Sequence, residues 1–480
     1  MLNLRNYQIQ AIEELSKNWR EHKRQVLALT TGGGKTVIFT EIAKLTTKRN
    51  KRVLILTHRD ELFKQANKTF SKQGLEAELI NAKQKTFDLS KTLFIAMVET
   101  ISRRPKLIEE IKPDLIIIDE CHIGNFTKIL DLYPDTFTLG VTATPVGKHF
   151  YTHYTKITQT IDTPDLIEQG FLVPCIAYQK VKQIDGLKTQ NGEFTDASMM
   201  KFYDNSTLYQ GVIEDYVKYA INKKTLIFNC NIKHSDTMSE SFNNAGYDCM
   251  SLTSNNTAEE RKTILTWFEN TPNAILCNAG ILTAGYDHPP IECIIVNRAT
   301  KSLPLWLQMV GRGSRLSENK NSFILLDFGA NHERHGLWDE YRKWEIEAPK
   351  EKKQMPAPLK ECPSCFRMLS LNVKICGCGH VFKFREKELE NGEMVEVKKD
   401  PLKGKYIADL SIDELIILTK EKFKYNIKPS LVWRVVRSKG VEFLKEYGKK
   451  MNYKNGWFFN QREQLNDVNF SNIKVKTILW

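Results

Sequence analysis

The stretch that most restricts what this chain can fold into is Thr30-Thr31-Gly32-Gly33-Gly34-Lys35-Thr36, set between the apolar runs Gln25-Val26-Leu27-Ala28-Leu29 and Val37-Ile38-Phe39. It reads as a buried strand, a glycine-rich turn and the start of a helix. Gly32, Gly33 and Gly34, with Thr31 before them, let backbone N–H groups converge on an anion without side chains in the way. Lys35 can reach terminal phosphates and the Thr36 hydroxyl can hold Mg²⁺. The pattern predicts a cradle for a nucleoside triphosphate. Its strict form asks for a glycine where Leu29 stands.

Upstream, Leu4 to Ile12 runs into an amphipathic helix reaching about Trp19. Arg5 and Gln8, just ahead of the loop, can read an adenine edge, because a carboxamide donates and accepts at once. Downstream, Arg52–Thr57, Thr92–Met97 and Asp114–Asp119 are apolar runs separated by helical stretches, the pattern of a parallel sheet with its site at the carboxyl ends of the strands. The third run ends in Asp119-Glu120-Cys121-His122, a pair of acids some eighty residues past the loop. Asp119 can hold Mg²⁺ through water, and Glu120 can orient and deprotonate an attacking water. Phe137–Pro145 adds a strand ending in Thr142-Ala143-Thr144, small hydroxylic residues suited either to relaying phosphate state or to a plain turn.

Gly-Gly-Gly-Lys-Thr, Asp-Glu-Cys-His and Thr-Ala-Thr-Pro in this order resemble the first motor domain of superfamily 2 helicases and translocases. The resemblance implies that ATP is the nucleotide. It also implies that His58 and Arg59, within Thr57–Leu62, and Val98 and Thr100 touch a nucleic-acid backbone. Leu166–Pro174 resembles the approach to that superfamily's second motor domain. Asp185 to Asn205 is polar and unpatterned, and is expected to be a loop or small insertion.

A second alternation follows, with strand candidates at Lys224–Asn229, Asp248–Leu252, Asn273–Cys277, Ile291–Val296 and Ser322–Asp327. It holds no phosphate loop and is expected to press on the nucleotide from outside. In the superfamily's pattern Thr283 meets nucleic acid, while Gly285 and Asp287 meet the nucleotide. Arg312 and Arg315 lie three apart on one helix face, with Gln308 a turn away, and are expected to reach the γ-phosphate across the cleft.

Around Glu345–Lys353 the chain turns charged and proline-bearing, which predicts a linker. Beyond it, Cys362 and Cys365 and then Cys376 and Cys378 form two tight pairs of the kind that cage Zn²⁺, with His380 as a substitute ligand for the shortened second pair. A motor followed by such a ribbon is similar to RadD-type bacterial and phage helicase-like ATPases. That resemblance implies a role in DNA repair or recombination on single-stranded or branched DNA, with single-strand-binding or recombination proteins as candidate partners. Residues 401–480 carry 16 Lys and Arg against 8 Asp and Glu. Trp433, Tyr447, Tyr453, Trp457, Phe458 and Phe459 interleave with those bases, which suits either stacking on single strands or a small helical domain with an aromatic core. Ser411-Ile412-Asp413-Glu414 is a capping box.

The expected architecture is therefore α/β: two tandem RecA-like parallel-sheet domains (1–150 and 151–345), a zinc ribbon (355–385) and a basic, mainly helical module (400–480). A net charge of +13 fits a polyanionic partner. No apolar run is long enough for a membrane span, and the six singly placed cysteines suit reduced core thiols, so a cytoplasmic protein is expected. Three readings stay open: a DNA helicase or translocase, an RNA-dependent ATPase, and a DNA-binding recruitment factor using ATP as a switch. A restriction-type motor subunit fits less well, since the tail shows no nuclease constellation.

Overall fold

The computed structural model describes residues 4–346, apart from 59–62, 64–66, 68, 72–73, 83, 85, 124–125, 181–186, 191, 204–205 and 284–285. Beyond 346 it describes 359–361, 364, 368–370, 378–381, 394–396, 402, 407–420, 429–453 and 455–463.

The first sheet contains β1 (Arg24–Ala28), β2 (Val53–Thr57), β3 (Glu78–Ile80), β4 (Leu93–Met97), β5 (Leu115–Asp119), β6 (Phe137–Thr142) and β7 (Lys156–Thr158). Every pairing in it is parallel, in the order β3-β4-β2-β5-β6-β1-β7. Helices cover both faces, which is why strands such as Leu115–Asp119 are apolar along their length rather than alternating. Leu27, Ile55, Ile117 and Leu139 enter one core cluster and Val26, Leu54, Ile116 and Ile118 the other. Each such side chain contributes about 1.5–3 kcal/mol on burial.

The second sheet runs β12-β13-β11-β14-β15-β8-β18. Its strands are β8 (Cys175–Lys180), β11 (Thr225–Asn229), β12 (Cys249–Leu252), β13 (Ile275–Asn278), β14 (Cys293–Asn297), β15 (Phe323–Asp327) and β18 (Met394–Glu396). All are parallel except β18, which pairs antiparallel with β8. The chain thus returns to this domain after the cysteine pairs. The stretch expected to be a loop or small insertion holds a hairpin, β9 (Thr189–Gln190) with β10 (Glu193–Phe194), and a helix, Asp196–Tyr203. Glu193 anchors the hairpin by accepting from Thr300 Oγ1 at 2.6 Å and Lys301 N at 2.8 Å.

One core cluster continues from the first domain into the second through Leu172, Val173, Leu307 and Trp338. Cys121, Cys230, Cys249, Cys277 and Cys293 are buried free thiols, and Cys175 is half-buried. In the C-terminal part, helices Ile412–Lys420, Pro429–Ser438, Val441–Lys450 and Asn455–Glu463 enclose their own core. The Ser411–Glu414 capping box forms, at 2.9 and 3.3 Å. Tyr447 is fully buried in that core and Trp433, Tyr453, Trp457 and Phe458 pack against the core, so among these described rings only Phe459 stands exposed. These described aromatic residues mainly build the core.

Leu359–Glu361 (β16) pairs antiparallel with Met368–Ser370 (β17). Cys362, Cys365 and Cys376 lie outside the described residues; Cys378 is exposed. Among the described residues no group of His, Cys, Asp or Glu is placed to hold a metal, and no helix is long and apolar enough to cross a membrane.

Candidate active site

The loop after β1 is shaped by its glycines. Gly32 and Gly34 have φ of +95° and +85°, a left-handed backbone that side chains disfavour. A β-carbon on Gly33 would stand 2.7 Å from Leu29 Cγ, and one on Gly34 would stand 2.5 Å from Gln8 Nε2. Leu29, which departs from the strict pattern, is thus a buried prop beneath Gly33, and its N–H donates to Thr142 O at 3.0 Å. Helix Lys35–Thr47 starts directly from Gly34, so its free N–H groups and positive end face the loop.

The acids sit where the sequence places them, at the carboxyl end of β5. Lys35 Nζ is 3.8 Å from Glu120 Oε1 and 3.4 Å from Leu29 O. Glu120 has φ of +51°, a conformation that costs a non-glycine residue on the order of 1 kcal/mol and recurs at functional sites. Its other oxygen is 3.3 Å from His122 Nδ1, which also hydrogen-bonds with Thr142 Oγ1 at 2.9 Å. Burial and the neighbouring charge of Glu120 raise the Asp119 carboxyl, with Lys35 opposing them. Burial would raise Glu120 too, but the charge of Lys35, the His122 hydrogen bond and the charges of His122 and His58 hold it well below the ordinary range. The pair therefore favours a proton on Asp119 and a free carboxylate on Glu120. A cation arriving at Asp119 would replace that proton, which is the behaviour a Mg²⁺ ligand needs.

At the other wall Gln8 is buried; its Oε1 accepts from Arg5 N at 2.9 Å and its Nε2 donates to Gly33 O at 3.5 Å. Tyr7 makes the shorter contact, its hydroxyl donating to Gly33 O at 2.8 Å. Arg5 lays its guanidinium 4.0 Å above the Phe171 ring. Tyr7, His122 and Phe171 are site residues that sequence reasoning did not single out. Tyr7 beside Gln8 was the available signal, whereas Phe171 is brought in only by the tertiary fold.

The second domain meets the loop directly. A β-carbon on Gly32 would lie 2.7 Å from Arg315 Nη1, and one on Gly311 would lie 3.1 Å from Thr31 Cβ. Arg315 Nε is 3.2 Å from Asp287 Oδ1. Arg312 behaves differently: it is buried, and its guanidinium donates to Thr283 O at 2.7 Å and to Tyr286 O. Both acceptors belong to its own domain, where Arg312 is held. Gln308 is half-buried in the last turn of helix Leu303–Val310.

The residues expected to touch nucleic acid divide. His58 is half-buried past the end of β2, where its charge acts on Glu120. Val98 is buried, so it offers only its backbone; Thr100 is half-buried, and Thr283 is buried with its hydroxyl on Gly280 O at 3.0 Å. Arg59 and Gly285 lie outside the described residues.

Residues 1–147 match the family described as type III restriction enzyme, res subunit, and residues 208–317 match the helicase conserved C-terminal domain. The chain is 29% identical over 424 residues to a 51.5 kDa protein of a Lactococcus phage (isolate 7-9), covering 85% of this chain and 87% of that one. It is 28% identical over 356 residues to a Saccharomyces cerevisiae protein provisionally named ATP-dependent helicase IRC3, covering 68% of this chain and 51%, about half, of the yeast protein. Among solved structures it is similar to a fragment of a provisionally assigned HsdR subunit of a type I restriction enzyme from Vibrio vulnificus YJ016. The TM-score there is 0.57 and the identity 26%, covering 70% of this chain and 67% of that one.

Proposed function

Since the chain is an ATP-hydrolysing enzyme of the superfamily 2 helicase type, we propose that it couples hydrolysis between its two RecA-like domains to movement along DNA. The observation that carries this reading is the seating of Arg315, from one domain, against Gly32 in the phosphate loop of the other. A γ-phosphate on that loop would join the domains, and its loss would release them. Lys35 and the loop N–H groups bind the phosphates, and Arg5 and Gln8 read the base. Thr36 and Asp119 would hold Mg²⁺, which offsets phosphate charge when bound. Glu120 takes a proton from water as the water oxygen bonds to the γ-phosphorus, and the bond to the bridging oxygen breaks so that ADP leaves with that oxygen. Arg315 steadies the charge on the transferring group.

The finer reading is a RadD-type enzyme of DNA repair or recombination with a structural Zn²⁺ on Cys362, Cys365, Cys376 and Cys378. Support for the metal comes from the chemistry of four thiols in two tight pairs and from Ser364 Oγ, 3.0 Å from Nδ1 of His380, the substitute ligand. A second reading, the motor subunit of a restriction system, is favoured by the likeness to the HsdR fragment. Measuring ATP hydrolysis with single-stranded, duplex and forked DNA and with RNA tests the proposal. Stimulation by single-stranded or forked DNA is expected; equal or greater stimulation by RNA would overturn it.

A further inference from the structure

The last stretch of the second domain, running up to the linker expected at Glu345–Lys353, is built into the joint between the domains. Trp306 Nε1 donates to Gly336 O at 3.1 Å, and Trp338 is buried with its ring 5.8 Å from that of Phe323. Its Nε1 lies 3.3 Å from where a β-carbon on Gly311 would be, directly beneath the turn that leads to Arg315. Arg342 then ties the segment to itself, donating to the carbonyls of Trp338 at 3.0 Å, His335 at 3.1 Å and Leu337. From there the chain crosses to the first domain. Gln159, just past β7, donates to Arg342 O at 2.8 Å and accepts from Trp344 N at 3.1 Å. Tyr341 OH donates to Asp165 Oδ1 at 3.1 Å on the connector helix Thr163–Glu168. Ile346 packs against the first domain's core.

We infer that residues 336–346 form a clasp, a second crossing between the domains besides the covalent connector, which sets the closed position of Arg315 over the phosphate loop. Gln159, Tyr341 and Trp344 are then positioning residues. They act by fixing where the turn that carries Arg315 stops. Two crossings restrain rotation between rigid bodies where one would leave a hinge, and displacement of a catalytic group by about 1 Å can cost up to about 100-fold in rate. The inference rests on the reading of Arg315 as the group that meets the γ-phosphate.

The test is a double-mutant cycle on ATP turnover with the full chain. Gln159→Ala is expected to lower kcat by about 10- to 100-fold while KM for ATP changes less than about twofold, since Arg315, as an arginine finger meeting the γ-phosphate, acts on the transition state. Tyr341→Phe, which removes one hydroxyl and cannot unfold the domain, should shift kcat in the same direction by a smaller factor. In an Arg315→Ala background both changes should lose their effect. If they multiply with Arg315→Ala instead, the clasp is overturned while the finger stands. If Arg315→Ala by itself leaves kcat unchanged, the finger reading fails and the clasp with it. Wild-type kcat in Gln159→Ala would also overturn the clasp.

Discussion

Arg315 reaches across the domain boundary to Gly32, so closely that a β-carbon on the glycine would meet its Nη1 at 2.7 Å. Asp287 holds the same guanidinium from its own side at 3.2 Å. The glycine therefore serves two purposes: it permits the left-handed turn of the phosphate loop, and it leaves room for an arginine from the other domain.

Gly32→Ala should accordingly fail twice over, through its φ of +95° and through collision with Arg315. Turnover is expected to fall by about 100-fold or more, comparable to a lost transition-state donor, with thermal stability reduced by about 1–2 kcal/mol. Steady-state kinetics and a melting curve on the same preparation check both.

Arg312 and Arg315 should separate experimentally. Arg315→Ala is expected to cut kcat by about 10³-fold with an almost unchanged melting temperature. Arg312→Ala strands the carbonyls of Thr283 and Tyr286, so it should cost about 1–3 kcal/mol of stability, with activity falling as a consequence. Equal melting curves for the two variants would contradict this division.

A pH dependence follows from Asp162, which caps the connector helix and accepts from Gln159 Nε2 at 2.6 Å. Burial, with the charge of Asp165 beside it, raises its carboxyl to about 6. A raised acid binds its proton more tightly when folded, so its contribution is fully present below the unfolded value and is lost as pH rises through about 6. Asp162→Asn keeps a capping side chain and should therefore gain stability over wild type, on the order of 1–2 kcal/mol, as pH goes from about 4 to 7. A melting-temperature difference that stays flat across that range would contradict it.

Much of this was legible in the residues themselves. The buried strands read correctly because both faces are covered, leaving continuous apolar runs such as Leu115-Ile116-Ile117-Ile118. The glycine-rich loop leads into helix Lys35–Thr47 and the acids stand at the end of β5, positions that residue type and spacing were enough to indicate. Short edge strands did not: β7, three residues long, and β18, donated from beyond the cysteine pairs, carry little pattern of their own. The clasp was hidden because its charged residues, Glu340 and Arg342, look in sequence like solvated surface of the second domain, while most partners of Arg342 are backbone carbonyls that no sequence displays. Tail aromatics such as Tyr447 and Trp457 look alike in sequence whether they face solvent or each other; here they pack together, their rings 6.0 Å apart.

For the cysteine pairs, elemental analysis should find one Zn²⁺ per chain, and Cys362→Ser should make residues beyond about 350 protease-sensitive, since structural zinc supplies the folding energy of such small units. Metal-free protein with a protease-resistant tail would contradict the assignment.

The central claim, that hydrolysis in this cleft drives movement on DNA, is met most directly by timing the displacement of streptavidin from the end of a biotinylated single-stranded DNA. The wild-type chain should displace it in an ATP-dependent manner. Glu120→Gln should bind the same strand and ATP yet displace nothing, its turnover reduced by at least about 10²-fold. A wild-type chain that hydrolyses ATP on that strand without displacing streptavidin would contradict the claim and leave ATP as a conformational switch.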